Sequence, residues 1–392
     1  MTKSNKKAII GLSMGHFTAD LYASAIVPMY PLITQKLGIT LASISLIISL
    51  GHLVSSMLQP FFGFISDKIK KRAFMINGLI LGAVFIPLTI TADNSILLCL
   101  FLMLGMAGNA LFHPQVTSLV KTFCYNNPNV AKYMGLFMGM GTIGYSIGPV
   151  ISSNLVENFG EGAMLYITVI GLLCALILYF EVPKIPKSAI TQSKDGFFKV
   201  MSEIIKNKTC MKLVWIAIVK SAVSISFGTY IPFILKESGF DLSTTGIVVT
   251  LFFAISGLSM IASSKLEEKI GAVNLIRLSF FTILPLVILF KFAFDMMPYL
   301  GIIIFIISGF FIYLSVSVTI IAAQKIMPDH TGVISGVMQG FSWGLGALSL
   351  APMGYIGEKF GVIWILVIMS TVALLTGIFG LGKDIRKVLA DK

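Results

Sequence analysis

The stretch "GFISDKIK" (residues 63–70) returns three more times in the chain, as "SNLVENFG" (153–160), "SSKLEEKIG" (263–271) and "GYIGEKFG" (354–361). Each copy has a small residue, an acid four positions later, Lys or Asn, Ile or Phe, and usually a closing Gly. The acids are Asp67, Glu157, Glu268 and Glu358, 90 positions apart within each half (67 to 157, 268 to 358) and 201 between halves (67 to 268). Pro31 and Pro232, and Gly135 and Gly336, keep the same offset of 201. Self-similarity at a fixed period marks an internally duplicated architecture.

Apolar runs of about 20 residues, long enough to cross a bilayer, fill the space between the copies, twelve in all from 8–34 to 362–381. Three runs separate neighbouring copies, so consecutive copies fall on opposite membrane faces. That predicts inverted three-span repeats nested in two parallel six-span halves, a plan used by secondary transporters. The expected fold is an all-α membrane protein of twelve transmembrane helices in two pseudo-symmetric six-helix bundles. The expected domains are 1–182, a cytoplasmic linker at 183–209, and 210–392.

Composition agrees. The chain is 56% hydrophobic and 12% charged, with a mean hydropathy of +0.93, whereas soluble domains carry about 25% charged residues. The net charge of +12 would suggest nucleic acid in a soluble protein. Of the 29 Lys and Arg, however, only Lys36, Lys236, Lys291 and Lys359 fall in outside loops and Lys220 within a span; the rest lie on one side. This positive-inside bias predicts cytoplasmic termini and marks the basic charge as a topology signal, so no nucleic-acid partner is expected. "MTKSNKKAIIGLSMGH" has a basic start but no small-residue cleavage site, so it is read as an uncleaved first span. The four cysteines show no paired spacing and are read as packing residues.

Within that apolar background a few polar residues stand out. "GHFTADLYASAIVPMYPLI" (15–33) holds Asp20 about 18 Å into the first span, where an aspartate costs about 2.5–3.5 kcal/mol and function is the usual reason for bearing it. His16 lies four residues earlier, on the same helical face. Lys220 sits about 15 Å into the seventh span, and the 201 offset pairs Asp20 with its neighbour Ser221. Two readings stay open: a permanent Asp20–Lys220 ion pair between the halves, or a proton and substrate pathway. For His113 and Asn109 in the fourth span, helix packing and ligand contact are both open. Tyr22, Tyr230, Tyr313 and Gln339 are candidate cavity-lining donors. There is no GxxxxGK[ST], no HExxH and no paired-cysteine site, so no metal, cofactor or ATP use is expected beyond a proton gradient. A nucleophile–base constellation is also missing, and the chain is not expected to be an enzyme.

The repeated acid ends its own helix, where the macrodipole is unfavourable, and would be at ease near the N-terminus of a neighbour. Asp67 is expected to cap the span starting near Thr331, and Glu268 the one starting near Ala131, as a gating latch; a plain boundary charge is the alternative. Linker 183–209, "PKIPKSAITQSKDGFFKVMSEIIKNKT", places Phe197, Val200 or Met201, and Ile204 at helical spacing among lysines. It reads as an interfacial helix or as a tether.

At these residues the chain resembles the major facilitator superfamily. "GFISDKIKKR" (63–72), with Asp67, Lys68 and Arg72, looks like the signature after the second span of that superfamily. "GTIGYSIGP" (141–149) resembles the fifth-span motif of its antiporters; there Gly144 and Gly148 permit close helix approach and Pro149 disturbs the helix. "GNALFHP" (108–114), "IVKSAVSISFGTYIPF" (218–233) and "AAQKIMP" (322–328), with the first-span His and Asp, look like the fosmidomycin-resistance family of drug exporters. The resemblance implies that the first, fourth, seventh and tenth spans line a central cavity, which places Asp20 and Lys220 there. The expected function is a proton-coupled antiporter exporting small drug-like or anionic compounds by alternating access. It is expected to work as a monomer, with lipid, protons and a small-molecule substrate as partners. The alternative is a proton symporter taking up an organic anion. Asp20 and His16 are the expected proton-coupling residues; Lys220, His113, Asn109, Tyr22 and Gln339 are the expected substrate contacts.

Overall fold

The computed structural model describes residues 3–69, 72–124, 129–183 and 197–390, and every element among them is helical. The first segment runs as α1 (Lys3–Ala25), a 3-10 turn at Val27–Met29 and α2 (Tyr30–Leu37). Then come α3 (Leu41–Ile69), α4 (Ala73–Leu88), α5 (Ser95–Phe123), α6 (Val130–Phe159) and α7 (Ile167–Glu181). After the linker follow α8 (Phe197–Lys206), α9 (Lys208–Glu237), α10 (Leu242–Ile270), α11 (Ala272–Phe281), α12 (Ile283–Met296), α13 (Pro298–Tyr313) and α14 (Val316–Ile326). The chain ends with α15 (Thr331–Gly336), a π turn at Val337–Phe341, α16 (Ser342–Ala347), α17 (Leu350–Phe360), α18 (Ile363–Phe379) and α19 (Lys383–Ala390).

Ten described helical stretches are long and apolar enough to cross a membrane; the bent pair Ile363–Phe379 and Lys383–Leu389 adds an eleventh. The α1 segment is not among them, because His16, Asp20 and its hydroxyl residues dilute its apolar character. It still occupies the place of the first of the twelve expected spans. The protein is thus an all-helical, multi-pass membrane protein. Large apolar side chains such as Phe180, Ile261 and Phe292 are exposed on the helices, as lipid-facing residues are.

The chain divides into two compact units. Unit 1 holds residues 1–38, 50–194 and 240–250; unit 2 holds 39–49, 195–239 and 251–392. In unit 1, α1 packs most extensively on α6, and α4 on α5. Without a hydrophobic driving force between helices in lipid, close packing of small residues does this work. A Cβ on Gly144 would overlap the Phe17 carbonyl, and one on Gly148 the Leu21 carbonyl, so the backbones of α1 and α6 touch. Gly78 on α4 and Gly108 on α5 face each other's carbonyls in the same way. Pro149 lies inside the continuous α6, and the next amide, Val150 N–H, donates to Thr250 Oγ1 at 3.1 Å. Below these contacts Leu12, Leu79, Phe112, Phe137 and Leu178 form the apolar core. Unit 2 is centred on α9 and on the stacked rings of Phe227, Phe252 and Phe305.

The four repeated corners are helix ends. Gly160, Gly271 and Gly361 close three of them at φ of +83°, +79° and +97°. Glycine alone adopts that conformation cheaply, so it stops each helix three residues after the acid. The Glu157 carboxylate accepts the Leu242 amide (3.0 Å) at the start of α10, within unit 1. The Glu358 carboxylate accepts the Ala42 amide (2.6 Å) at the start of α3, within unit 2. Each acid thus meets the positive end of a helix other than its own. Glu268 is exposed at the end of α10, and the side chains of Asp67 and Lys68 lie outside the described residues. Arg72 instead donates to the carbonyls of Tyr179 (2.7 Å) and Val182, capping the end of α7, and lies over the Tyr179 ring.

In the linker, α8 buries Val200 and Ile204 and leaves Phe198 exposed; residues 184–196 and the Phe197 side chain lie outside the described residues. Its Glu203 pairs with His330 at 3.2 Å.

The glycine contact generates a test. Gly148→Leu should destabilise unit 1 by about 1–3 kcal/mol or more through overpacking. Gly139→Leu, at a glycine with open space around it, should change little. Thermal unfolding of the two variants in detergent checks the difference.

Candidate functional site

The side chains of α1 repeat every 3.6 residues, so His16 and Asp20 project from one face, and that face meets α5 and α6. His16 Nε2 lies 3.2 Å from one Asp20 carboxylate oxygen, and His113 Nε2, from α5, lies 3.2 Å from the other. On its other side His16 Nδ1 lies 2.9 Å from the Phe137 carbonyl of α6. The His16 ring stacks on the Phe137 ring at 4.2 Å and meets the edge of His113 at 5.2 Å. Gly141 makes room for the cluster, since a Cβ there would stand 2.6 Å from Asp20 Oδ2. His16 is buried, while the side chains of Asp20 and His113 remain 17% and 24% exposed, so the cluster is reachable from one side.

The hydrogen-bond network assigns the tautomer. A carbonyl oxygen only accepts, so His16 Nδ1 carries a hydrogen and donates it to Phe137. A neutral His16 then has a bare lone pair on Nε2, facing a carboxylate oxygen at 3.2 Å. Two lone pairs at that separation repel. Either a proton sits there, on the imidazole or on the carboxyl, or another cation does. The arrangement is therefore a cation-holding site in which His16 and Asp20 act as one unit. His113 Nε2 faces the other carboxylate oxygen at the same distance.

The other expected residues are distributed differently. Asn109 lies one turn from His113 on α5 and is half-buried. Tyr22 is a buried strut: its hydroxyl donates to the Ile167 carbonyl and accepts the Gly171 amide at 2.8 Å, tying α1 to α7. Tyr230 bridges Ser45 Oγ (2.9 Å) and the Leu350 carbonyl (2.8 Å) within unit 2, and Tyr313 is bonded to Ser224. Gln339 is exposed on the π turn of unit 2; such turns recur at functional positions.

Lys220 is fully enclosed within unit 2. Its amine donates to Ser279 Oγ and to the Ile312 carbonyl at 3.0 Å, and lies 4.5 Å from the centre of the Phe280 ring. No carboxylate among the described residues of unit 2 pairs with it. A hydroxyl, a carbonyl and a ring face are weaker partners than an acid, so the site holds a desolvated amine in a neutral cradle. Ser279, Phe280, Ile312 and Phe137 carried no signal in the sequence that would single them out, and Gly141 stood only as the first residue of "GTIGYSIGP". Only the Phe-His-Pro stretch hinted at His113.

Comparison with known proteins adds the following. The sequence pattern described as Major Facilitator Superfamily matches residues 12–351. The chain is 25% identical to the Fosmidomycin resistance protein of Escherichia coli (strain K12), covering 90% of this chain and 86% of that protein. It is 20% identical to the Multidrug resistance protein MdtG of Escherichia coli O17:K52:H18, covering 68% and 67%. In fold it is similar to a bacterial homologue of the human lysosomal transporter Spinster, with a TM-score of 0.83 at 14% identity over 100% and 99% of the two chains.

Because the Lys220 cradle satisfies itself without the amine (Ser279 Oγ donates to the Phe311 carbonyl at 2.6 Å), Lys220→Met should not destabilise the fold. Replacing a desolvated amine with an apolar group of similar shape removes a desolvation cost from the folded state. A melting temperature equal to or above that of the wild type is the expected result.

Proposed function

The chain belongs to the Major Facilitator Superfamily, and from that premise we propose that it is a proton-coupled antiporter exporting small drug-like or anionic compounds across the bacterial inner membrane. The observation that supports this reading most directly is the contact of His16 Nε2 with Asp20, in which a lone pair and a carboxylate need a cation between them. A proton gradient supplies such a cation. Asp20 binds the proton, His16 holds the carboxylate in place, and His113 contacts its second oxygen. Opening the site to one side or the other of the membrane then changes which bulk solution the proton exchanges with. Alternating access of two six-helix halves with cytoplasmic termini, in a single chain without cofactor, is the mechanism this reading uses.

Export of drugs is the use supported by the names of the related resistance proteins. A second reading, symport of an organic anion inward, draws on Lys220, a buried amine without an acid partner among the described residues of its own unit. In proteoliposomes, antiport moves protons against the direction of substrate and symport moves them with it, so the sign of the pH change on adding substrate separates the two.

The coupling role has its own test. Asp20→Asn keeps the shape and removes the titrating group. It should insert and fold normally but lose gradient-driven transport to background, with substrate exchange at zero gradient retained. Full gradient-driven transport by this variant would refute the role given to Asp20.

A further inference from the structure

The same three side chains have a chemistry that a proton does not exhaust. His16 Nε2, the Asp20 carboxylate and His113 Nε2 all lie within 4.8 Å of one another. Donors around a tetrahedral zinc-class ion at about 2.0–2.1 Å stand about 3.4 Å apart. The two imidazole–carboxylate separations, 3.2 Å each, are close to that spacing but fall on different Asp20 oxygens, so one ion held by all three side chains takes both oxygens or a small turn of the carboxylate. We propose that His16, Asp20 and His113 form a binding site for one divalent transition-metal cation of the zinc class.

Three further features point the same way. The Phe137 carbonyl fixes the His16 hydrogen on Nδ1 and leaves Nε2 free to coordinate; metal-ligating imidazoles are held in this manner from their far nitrogen. Gly141 carries no side chain, so His16 and Asp20 stand together against its backbone, where a Cβ would come within 2.6 Å of both. The side chains of Asp20 and His113 stay 17% and 24% exposed, so the cluster is not sealed from an ion. Two imidazoles with one carboxylate select zinc, cobalt or nickel over magnesium or calcium, which prefer all-oxygen sites. A bound ion would replace the cation between His16 and Asp20 and tie α1 to α5, so it should inhibit transport.

Only that last consequence rests on the proton-coupling reading; binding stands on the geometry alone. The test uses the full chain, purified and stripped of metal, with Co²⁺ as the probe. One Co²⁺ per chain should bind, give the intense visible absorption of a four-coordinate ion, and be displaced by Zn²⁺. Asp20→Asn and His113→Gln should each weaken binding by at least about tenfold. His113→Cys should retain the ion and add a thiolate-to-cobalt charge-transfer band, an outcome that also shows the variant is folded. Absence of stoichiometric binding, affinity unchanged in both Asp20→Asn and His113→Gln, or no charge-transfer band in His113→Cys would each overturn the site. If Co²⁺ fails to bind while Asp20→Asn still loses gradient-driven transport, the metal site falls and proton coupling stands. If Co²⁺ binds while Asp20→Asn transports normally, the reverse holds.

Discussion

Because Gly144 and Gly148 present no side chains, α6 lies against the carbonyls of Phe17 and Leu21 on α1, and the polar site of unit 1 depends on that approach. It brings the Phe137 carbonyl within 2.9 Å of His16, and Gly141 beside it clears the space that His16 and Asp20 occupy. A bulkier residue at any of these positions would push the helices apart. His16 would then lose the acceptor that fixes its hydrogen, and a buried polar group without a partner is costly in a low-dielectric interior. The carboxylate, the two imidazoles and the helix contact thus form one arrangement.

The two intramembrane charged residues are held by opposite strategies. Asp20 has a polar partner on each oxygen and an open side. Lys220 has neutral partners on every side and is closed off within unit 2. The first arrangement suits a group that gains and loses a cation; the second keeps an amine desolvated among neutral partners. Such a group contributes little to stability, and intramembrane ionisable residues of this kind mark substrate or ion paths.

The internal duplication reaches down to single contacts. Glu157 and Glu358, 201 positions apart, each accept an amide at the start of a helix, Leu242 in one case and Ala42 in the other. Beside them, Ser153 of α6 faces Gly246 of α10, while Gly354 of α17 faces Ser45 of α3. Each glycine stands 201 positions from the serine of the other contact, so serine and glycine exchange places between the two contacts. One small and one hydroxyl residue per contact gives close approach on both occasions, which is the property that lipid-embedded helices need.

The sequence by itself determined the helical class, the duplicated six-span plan, the corner glycines that stop the helices, and the pairing of His16 with Asp20. These follow from properties local to the chain: a run of apolar residues long enough for a bilayer, a fixed repeat offset, a residue that tolerates positive φ, and an i,i+4 step on one helix. The tertiary structure alone decided that His113 reaches the second oxygen of Asp20, that Phe137 orients His16, that Tyr22 and Tyr230 are struts, and that Arg72 caps α7. Those outcomes depend on how packed helices rotate and tilt against each other. Hydropathy limits a helix only to a buried face, not to an angle within it, and a backbone carbonyl such as that of Phe137 has no letter in the sequence to announce it.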